Sequence, residues 1–424
     1  MPPFRTIVSH LLVFASTFLA LSLTSQPSAS AQSANDDFPD DSAMEPTPLQ
    51  APRPDGRMSA LDEIIVSAMK EQDVPGAALA VTKDGKLVYA KGFGFANLRT
   101  QEAASEKTLF NLASCTKTLT AVAFLKLVTD GKVSLDAKVY EVLGQPRLPK
   151  KPDPRMYSIT IRQLLHHSGG WRDNSGIAAA EDSVKAAFPN GKAPYAEAVP
   201  YVLSTPLDYA PGTEAQYSNG QFNLLKYVLE CASGKKYDEY MSEMLESMGI
   251  HDMKSEHPKY LPGEAVRYRG SPPKQIPGGE NMNSPVTAVT GNWLASAVDM
   301  AKFLTCLDGS RGKSIIDANA YKQLLKPLPP PMQNRKNGAH FGLGLDAVWD
   351  TPMGVAYTKN GGKSGVHSQI EHMNNGCDFV IFFNGGSSPN GGRSNPLNPS
   401  LNQVRSLLSS IRHWPSDDLF TNYP

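Results

Sequence analysis

Residues 109–129 read LFNLASCTKTLTAVAFLKLVT, and this stretch predicts a helix buried in the centre of the protein. Its apolar side chains cover nearly every side of a helical wheel: Leu119, Val122, Ala123, Phe124, Leu125, Leu127 and Val128. A helix that is apolar on all sides packs into a core rather than at a surface. Asp130-Gly131 then ends the helix. With 424 residues, 40% of them hydrophobic, the chain is long enough to bury it.

Ser114 begins this helix as part of a Ser-x-x-Lys motif, Ser114-Cys115-Thr116-Lys117. On a helix this spacing puts the hydroxyl and the amine on one face, one turn apart. The helix N-terminus favours developing negative charge, and burial lowers the pKa of a lysine towards that of a useful base. The motif therefore predicts Ser114 as a nucleophile and Lys117 in proton transfer. The same spacing recurs without the start of a buried helix at Ser67, Ser233, Ser271 and Ser310.

Strand patterns occur towards both ends of the chain. Two strands, 77–83 and 86–94, are joined by Asp84-Gly85, a strong hairpin signal, and follow a helix that starts at Ser59. Later strands and a final helix are predicted at 340–349, 355–359, 366–373, 378–383 and 401–412. Residues from about 140 to 330 alternate short helical patterns with Pro- and Gly-rich loops. The pattern predicts an α/β fold, with an antiparallel sheet flanked by helices and split by an inserted helical region.

Tyr217-Ser218-Asn219 follows the turn Pro211-Gly212-Thr213 and is predicted to lie on a loop between helical segments. A phenol relays protons, and a lysine cation nearby makes it ionise more easily. Tyr217 is therefore a candidate to take the proton of Ser114 and pass it to the leaving group. Asn219 offers an amide to a substrate carbonyl.

Lys359-Asn360-Gly361-Gly362 is predicted to end the strand 355–359. Two glycines let the backbone approach a ligand closely. The amides of Gly362 and Ser114 are candidate donors to the oxygen of a tetrahedral intermediate. Lys359 is a candidate partner for a substrate carboxylate. The first three residue types recur at 336–338, but in a polar loop that follows no strand.

In this order and spacing, these motifs resemble the serine β-lactamase-related family, in particular its branch of class C β-lactamases, D-alanyl-D-alanine carboxypeptidases and esterases. Similar segments lie at 74–76, 109–114, 159–170 and 211–225, and the resemblance runs on to the final helix. It therefore covers nearly the whole mature domain. It implies a β-lactamase-like (penicillin-binding transpeptidase-like) fold and an enzyme that needs no cofactor.

The resemblance also implies roles for individual residues. It makes Ser114 the nucleophile, with Lys117 and Tyr217 as the proton-transfer pair and Gly362 beside them as a catalytic backbone donor. The implied substrate-binding residues are Asn219, Lys359, Asn360 and Gly361. Asn360 departs from the usual Thr or Ser of penicillin-binding relatives, whereas many esterase-like relatives have His in place of Lys359. The resemblance therefore indicates the acylation step more clearly than it indicates any one substrate.

Charge and cysteine usage exclude other classes. Lys plus Arg and Asp plus Glu both number 41, so no basic field exists to hold nucleic acid. The predicted partner is a small-molecule or peptide substrate. Four cysteines lack C-x-x-C spacing, which favours buried free thiols and leaves disulfides open. His166-His167 has no third ligand at a recognisable spacing, so no metal site is predicted.

The N-terminal residues predict export. Arg5, an apolar stretch from Ile7 to about Leu23 and then Ala29-Ser30-Ala31 fit a signal peptide over 1–31. An acidic, proline-rich leader is predicted at 32–56, a catalytic domain at 57–413 and a C-terminal tail at 414–424. The mature protein is expected in the periplasm or outside the cell, without a stable membrane anchor.

The sequence therefore predicts an exported serine hydrolase that forms an acyl-enzyme at Ser114 on amide or ester substrates. Two alternatives stay open. One is a small-ester carboxylesterase of the same family. The other is a binding protein that senses penicillins or peptidoglycan fragments by being acylated without turnover, because deacylation needs a positioned water that a sequence does not show.

Overall fold

A computed structural model of the protein describes most of the chain from residue 58 onwards. The described ranges are 58–148, 151–173, 195–255, 257–278, 288–329, 332, 339–352, 354–386, 396 and 398–423. The predicted signal peptide and acidic leader lie outside these residues. All described residues belong to one unit, 45–424. None of the helices within them is long and apolar enough to span a membrane.

An antiparallel sheet of eight strands organises the described residues. In chain order, the strands are β1 (Gly76–Lys83), β2 (Lys86–Asn97), β3 (Glu102–Ala103), β4 (Phe110–Asn111), β5 (Lys254–Ser255), β6 (Tyr268–Arg269), β7 (Lys274–Gln275), β8 (Trp293–Ala295), β9 (His340–Gly342), β10 (Leu345–Thr351), β11 (Gly354–Lys363), β12 (Val366–Met373) and β13 (Cys377–Phe383). The large sheet has the order β3-β2-β1-β13-β12-β11-β10-β9. The predicted α/β fold class with an antiparallel sheet is confirmed.

Helices pack on both faces of this sheet and fill the middle of the chain. In chain order they are α1 (Met58–Glu71), α2 (Thr116–Thr129), α3 (Val139–Val142), α4 (Ile161–Leu165), α5 (Tyr195–Leu203), α6 (Asn219–Ser233), α7 (Tyr237–Ser247), α8 (Ala288–Gly291), α9 (Ala297–Thr305), α10 (Ala318–Leu325) and α11 (Leu401–Ser410). Short 3-10 helices lie at Ala113–Cys115, Pro154–Ser158 and Leu419–Asn422.

Strands from the two ends of the chain meet in the middle of the sheet. β1 pairs with β13 from Ala77↔Phe383 to Lys83↔Cys377. The β1–β2 hairpin turns at Asp84 and Gly85, which both have positive φ, +49° and +78°. This is the twist that a two-residue hairpin favours, so the predicted hairpin is confirmed.

Alternate residues of β1 supply two separate cores. Ala78 and Ala80 face α2 and the helical region, whereas Leu79 and Val81 face the side of α1 and α11. This follows from the period of two of a strand. Helix α2 is buried on nearly all sides, as its sequence predicts.

The chain that follows α2 is mainly helical up to α10 and returns to the segment before Ser114 through a short strand. β8 pairs with β4, with Phe110 opposite Ala295, immediately before Ser114. This pairing ties the start of α2 to residues that lie far away in the sequence. The predicted helical region thus shares its core with the sheet through α2.

Residues after 413, predicted to form a tail, pack against the edge of the sheet. Phe420 is buried, and Asp418 accepts hydrogen bonds from the amide of Leu87 at 3.1 Å and from Arg311 Nη1 at 2.6 Å. A buried aromatic ring and an ion pair hold this segment on β2.

The four cysteines are all free, which confirms the preference for free thiols. Cys115, Cys306 and Cys377 are buried, as expected, but Cys231 is exposed. The expectation of burial is wrong for Cys231 because it lies near the end of α6, on the helix side that turns away from the core.

Candidate active site

Ser114 lies in a single 3-10 turn, Ala113–Cys115, that runs directly into α2. Ala113 has a positive φ of +40°, and its amide donates to Asn111 Oδ1 at 2.8 Å. A non-glycine residue in this conformation costs free energy and is held by its surroundings. Ser114 is partly exposed between two buried neighbours, so its hydroxyl is presented to the outside of the core.

Lys117 is fully buried one turn after Ser114. Its Nζ donates to three oxygens: Ser114 Oγ at 3.3 Å, Asn219 Oδ1 at 2.8 Å and the Thr290 carbonyl at 3.0 Å. Burial lowers the pKa of Lys117, and the neighbouring Tyr217 offsets part of this effect. Three acceptors match the three N–H groups of an ammonium, so the contacts fit the charged form of this lysine.

Tyr217 is the other contact of the Ser114 hydroxyl. Its hydroxyl donates to Ser114 Oγ at 2.8 Å. The Nζ atoms of Lys117 and Lys359 each lie 5.0 Å from the centre of its ring. Burial raises the pKa of Tyr217, but the two cations outweigh burial and bring the pKa below its usual value. Tyr217 is therefore placed and tuned to exchange a proton with Ser114.

The segment around His167 holds Tyr217 in place. The His167 ring packs 4.5 Å from the Tyr217 ring, and the Ser218 amide donates to His167 Nδ1 at 3.2 Å. Burial, then the cations of Lys359 and Lys117, lower the pKa of His167 well below its ordinary range. His167 is therefore a neutral, structural ring. Among the described residues, no cluster of three or more His, Cys, Asp or Glu side chains is arranged to hold a metal ion.

Asn219 is the first residue of α6 rather than part of a free loop, and Ser218 caps the helix. The Asn219 side chain accepts from Lys117 and donates from Nδ2 to Asp173 Oδ2 at 2.9 Å. Its backbone amide also donates to Asp173 Oδ1 at 2.5 Å. One N–H of the side-chain amide is left to contact a substrate, so the predicted role of Asn219 is narrower than the sequence suggests.

Strand β11 runs on to Lys363, so the prediction that a strand ends at Lys359 is wrong. Asn360 pairs with Gln369, and Gly361 with Ser368, on β12. Continued pairing with β12 holds this segment extended.

Gly361 lies directly against the backbone around Ser114. A Cβ atom there would come within 2.4 Å of the Leu112 carbonyl oxygen and 2.9 Å of the Ser114 amide nitrogen. Only glycine allows this approach. The strand edge that carries Gly362 therefore passes beside the nucleophile.

Lys359 has a carboxylate partner within the fold. Only 1% of its side chain is exposed, and its Nζ lies 2.5 Å from Asp346 Oδ1. The other oxygen of Asp346 accepts from the Asn360 amide at 2.9 Å. Burial lowers the pKa of Lys359, but Asp346 more than compensates, so the pKa lies above its ordinary value. The Asn360 side chain is exposed.

Lys117, Tyr217 and Gly361 thus lie against Ser114, and the other Ser-x-x-Lys serines bond elsewhere. Ser67 Oγ donates to Glu71 Oε1 at 3.2 Å, and Ser310 Oγ donates to the Thr305 carbonyl at 3.3 Å. Ser271 contacts Asp73, and Ser233 Oγ donates to the Lys235 carbonyl at 3.3 Å.

Sequence reasoning missed Asp173, Asp346 and the Thr290 carbonyl, because single loop or strand residues carry no motif. Trp171 and Trp293 are both fully buried and belong to the core next to the site.

The fold and the site together define a class of serine hydrolase in which a Ser-x-x-Lys helix, a tyrosine and a glycine-containing sheet edge converge. The chain belongs to the Beta-lactamase family, whose family model matches residues 61–400.

Known proteins resemble the chain in parts of its sequence and across its fold. Protein flp of Staphylococcus aureus (strain MW2) is 27% identical over 183 residues, 43% of this chain and 35% of flp. Esterase EstB of Burkholderia gladioli is 32% identical over 181 residues, 41% of this chain and 45% of EstB. The chain thus spans less than half the length of either relative. The crystal structure of D-alanine carboxypeptidase AmpC from Burkholderia cenocepacia shares the fold, with a TM-score of 0.65. The sequences are 17% identical, and the match covers 84% of this chain and 99% of the AmpC chain.

Proposed function

We propose that this protein is an exported serine hydrolase that forms an acyl-enzyme at Ser114 on amide or ester substrates. The observation that carries the proposal is the double contact of Ser114 Oγ, with Tyr217 at 2.8 Å and Lys117 at 3.3 Å. A nucleophile and a base within hydrogen-bond reach, with the base oriented by a third group, is the arrangement that acyl transfer requires.

In the first step, Tyr217 in its ionised form accepts the Ser114 proton while Ser114 Oγ attacks the substrate carbonyl carbon. The ammonium of Lys117 stabilises the phenolate. The resulting oxyanion accepts hydrogen bonds from the amides of Ser114 and Gly362, each of which contributes roughly 2.7–4 kcal/mol in enzymes of this kind. Gly361 supports this assignment because it lies against the Ser114 backbone.

Collapse of the intermediate breaks the bond to the leaving group. Tyr217 gives the leaving group the proton that it accepted from Ser114. An ester now joins the acyl group to Ser114. Water then attacks this ester and gives a proton to Tyr217. Tyr217 passes this proton to Ser114 Oγ as the carboxylic acid leaves, which restores both residues.

Family membership supports hydrolysis, and the similar proteins point to two bond types. One relative is named an esterase, and one protein with the same fold is named a D-alanine carboxypeptidase. Esters and amides react through the same tetrahedral intermediate, so one site serves both. Export is supported by the charged, apolar and small-residue pattern over 1–31.

Mass spectrometry after incubation with a fluorophosphonate, a penicillin and a p-nitrophenyl ester tests the proposal. We expect an adduct on Ser114 with the fluorophosphonate, and transient adducts with those carbonyl compounds that are substrates. Ser114→Ala should abolish every adduct, whereas alanine at Ser67, Ser233, Ser271 or Ser310 should leave labelling intact. Labelling that survives Ser114→Ala would disprove the proposal.

The persistence of each adduct separates the alternatives. An acyl adduct that disappears with release of product indicates a hydrolase. An initial burst of product followed by a stable adduct indicates instead a sensor that is acylated without turnover.

A further inference from the structure

Asp346 is the carboxylate that pairs with Lys359, the lysine beside the Tyr217 ring. It lies near the start of β10, beside β11, and 22% of its side chain is exposed. Its carboxylate makes two contacts, an ion pair with Lys359 Nζ and a hydrogen bond from the Asn360 amide. Because both oxygens are engaged by neighbouring residues of β11, the carboxylate is fixed in position rather than free to swing away.

Lys117 and Lys359, the two lysines beside the Tyr217 ring, already have acceptors within the fold. Lys117 directs its ammonium to a carbonyl, an amide oxygen and Ser114 Oγ. Lys359 directs its ammonium to Asp346. A substrate carboxylate that approached Lys359 would have to displace Asp346 or lie close to its negative charge. Two carboxylates that share one small site repel each other.

The residue next to Lys359 is suited to a neutral group. Asn360 is exposed on β11, and its side-chain amide both donates and accepts hydrogen bonds without a net charge. Its backbone amide is held by Asp346 at 2.9 Å. The segment of β11 at Lys359 and Asn360 therefore carries a cation that Asp346 neutralises and an uncharged neighbour.

We propose that Asp346 determines specificity. It makes the enzyme prefer acyl compounds in which the part of the substrate next to β11 carries no free carboxylate. This inference rests on the proposed function. Asp346 neutralises Lys359 and repels an anion, so neutral esters and amides are accepted and carboxylate-bearing ones are disfavoured. The earlier expectation that Lys359 binds a substrate carboxylate is replaced by this assignment.

A matched pair of reversible inhibitors tests the inference without requiring turnover. Phenylboronic acids add to serine hydroxyls as tetrahedral adducts, and 3-carbamoylphenylboronic and 3-carboxyphenylboronic acid differ chiefly in charge. Protection of Ser114 against fluorophosphonate labelling gives the affinity of each. We expect the wild-type protein to bind the carbamoyl compound about tenfold more tightly.

Asp346→Asn keeps the size of the side chain but removes its charge. It should raise affinity for the carboxyl compound about tenfold and leave affinity for the carbamoyl compound within about threefold. Asp350→Asn, at an exposed position of the same strand, is the matched control and should leave the ratio of affinities unchanged.

Equal or tighter binding of the carboxyl compound by the wild-type protein would overturn the inference, even if Asp346→Asn failed to fold. An unchanged ratio in a folded Asp346→Asn protein would also overturn it. Fluorophosphonate labelling distinguishes failure of this inference from failure of the proposed function. A wild-type protein that is not labelled at Ser114 contradicts the proposed function itself.

Discussion

The charge state of Lys117 determines which residue acts as the base. All three of its N–H groups point at oxygen acceptors, and a neutral amine would leave a lone pair facing these acceptors. Tyr217, in contrast, lies close to two lysine cations and has a lowered pKa. The geometry therefore favours a tyrosinate base stabilised by an ammonium over a neutral lysine base.

Tyr217→Phe should lower the acylation rate of a p-nitrophenyl ester by about a hundredfold or more, because it removes proton transfer but keeps the ring against His167. Stopped-flow measurement of the burst gives this rate. The wild-type rate should rise with pH through the pKa of Tyr217, which lies below 10.0.

Tyr209→Phe is the control for this substitution. The Tyr209 hydroxyl donates to the His167 carbonyl at 3.0 Å. Like Tyr217 it contacts the His167 segment, but its hydroxyl is not the one bonded to Ser114. Its loss should change the acylation rate much less. An unchanged rate in folded Tyr217→Phe protein would assign the base role to Lys117.

At the scale of the elements, turns and close approaches define where the strands run. β11 needs glycine at 361 because it crosses the backbone at Ser114. The β1–β2 hairpin needs Gly85 for two reasons: its φ is +78°, and a Cβ there would come within 2.2 Å of the Ser310 carbonyl oxygen. Both glycines fix the position of a strand relative to a distant segment.

Gly85→Ala should destabilise the protein by at least about 3 kcal/mol, since about 1 kcal/mol of backbone strain adds to about 2 kcal/mol of steric overlap. Urea unfolding followed by circular dichroism measures this loss.

Gly131→Ala tests the strain alone, because Gly131 has a φ of +69° and nothing within 4 Å of an added Cβ. It should cost about 1 kcal/mol. Equal losses of unfolding free energy in the two variants would show that the contact with Ser310 does not contribute to the destabilisation.

At the scale of the whole molecule, the site lies where the sheet and the helical region share one core. Ser114 and Lys117 begin the central helix, Tyr217 and Asn219 precede and begin α6, and Lys359 lies on β11. A pair of adjacent histidines, His166 and His167, is buried beneath this junction. Buried histidines link the stability of the whole fold to pH.

Burial is the main cause that lowers the pKa of His166 to about 3, and the nearby cation of Arg162 adds to it. In the unfolded chain the histidine titrates near its ordinary 6.5, so the unfolded state binds more protons below that pH. The stabilisation is complete above about pH 6.5 and is lost as the pH falls towards 3, by up to about 1.4 kcal/mol per pH unit.

His166→Leu should reduce the slope of the unfolding free energy with pH, measured by urea unfolding between about pH 7 and about pH 4. His167 has a lowered pKa as well, so part of the dependence should persist. His413→Leu, at an exposed position, is the control and should keep the wild-type slope. A wild-type slope in His166→Leu protein would contradict the assignment.

Features that depend on near neighbours in the chain could be predicted from the sequence. Helix α2, the hairpin at Asp84-Gly85 and the strands after residue 339 follow from periodicity and turn chemistry, which act over a few residues. The choice of Ser114 among five Ser-x-x-Lys serines also follows from local context, because only this serine begins a buried helix.

The distribution of charge in the site, in contrast, depends on tertiary packing and could not be predicted from the sequence. Tyr217 contacts a serine 103 positions away, and the sequence offered this pair only as a candidate, since no local pattern joins two segments so far apart. Asp346 belongs to no motif, yet pairing of β10 with β11 brings it to Lys359 and changes a candidate anion receptor into a compensated cation. Side-chain electrostatics depend on distances of a few ångströms between distant segments, and packing alone sets those distances.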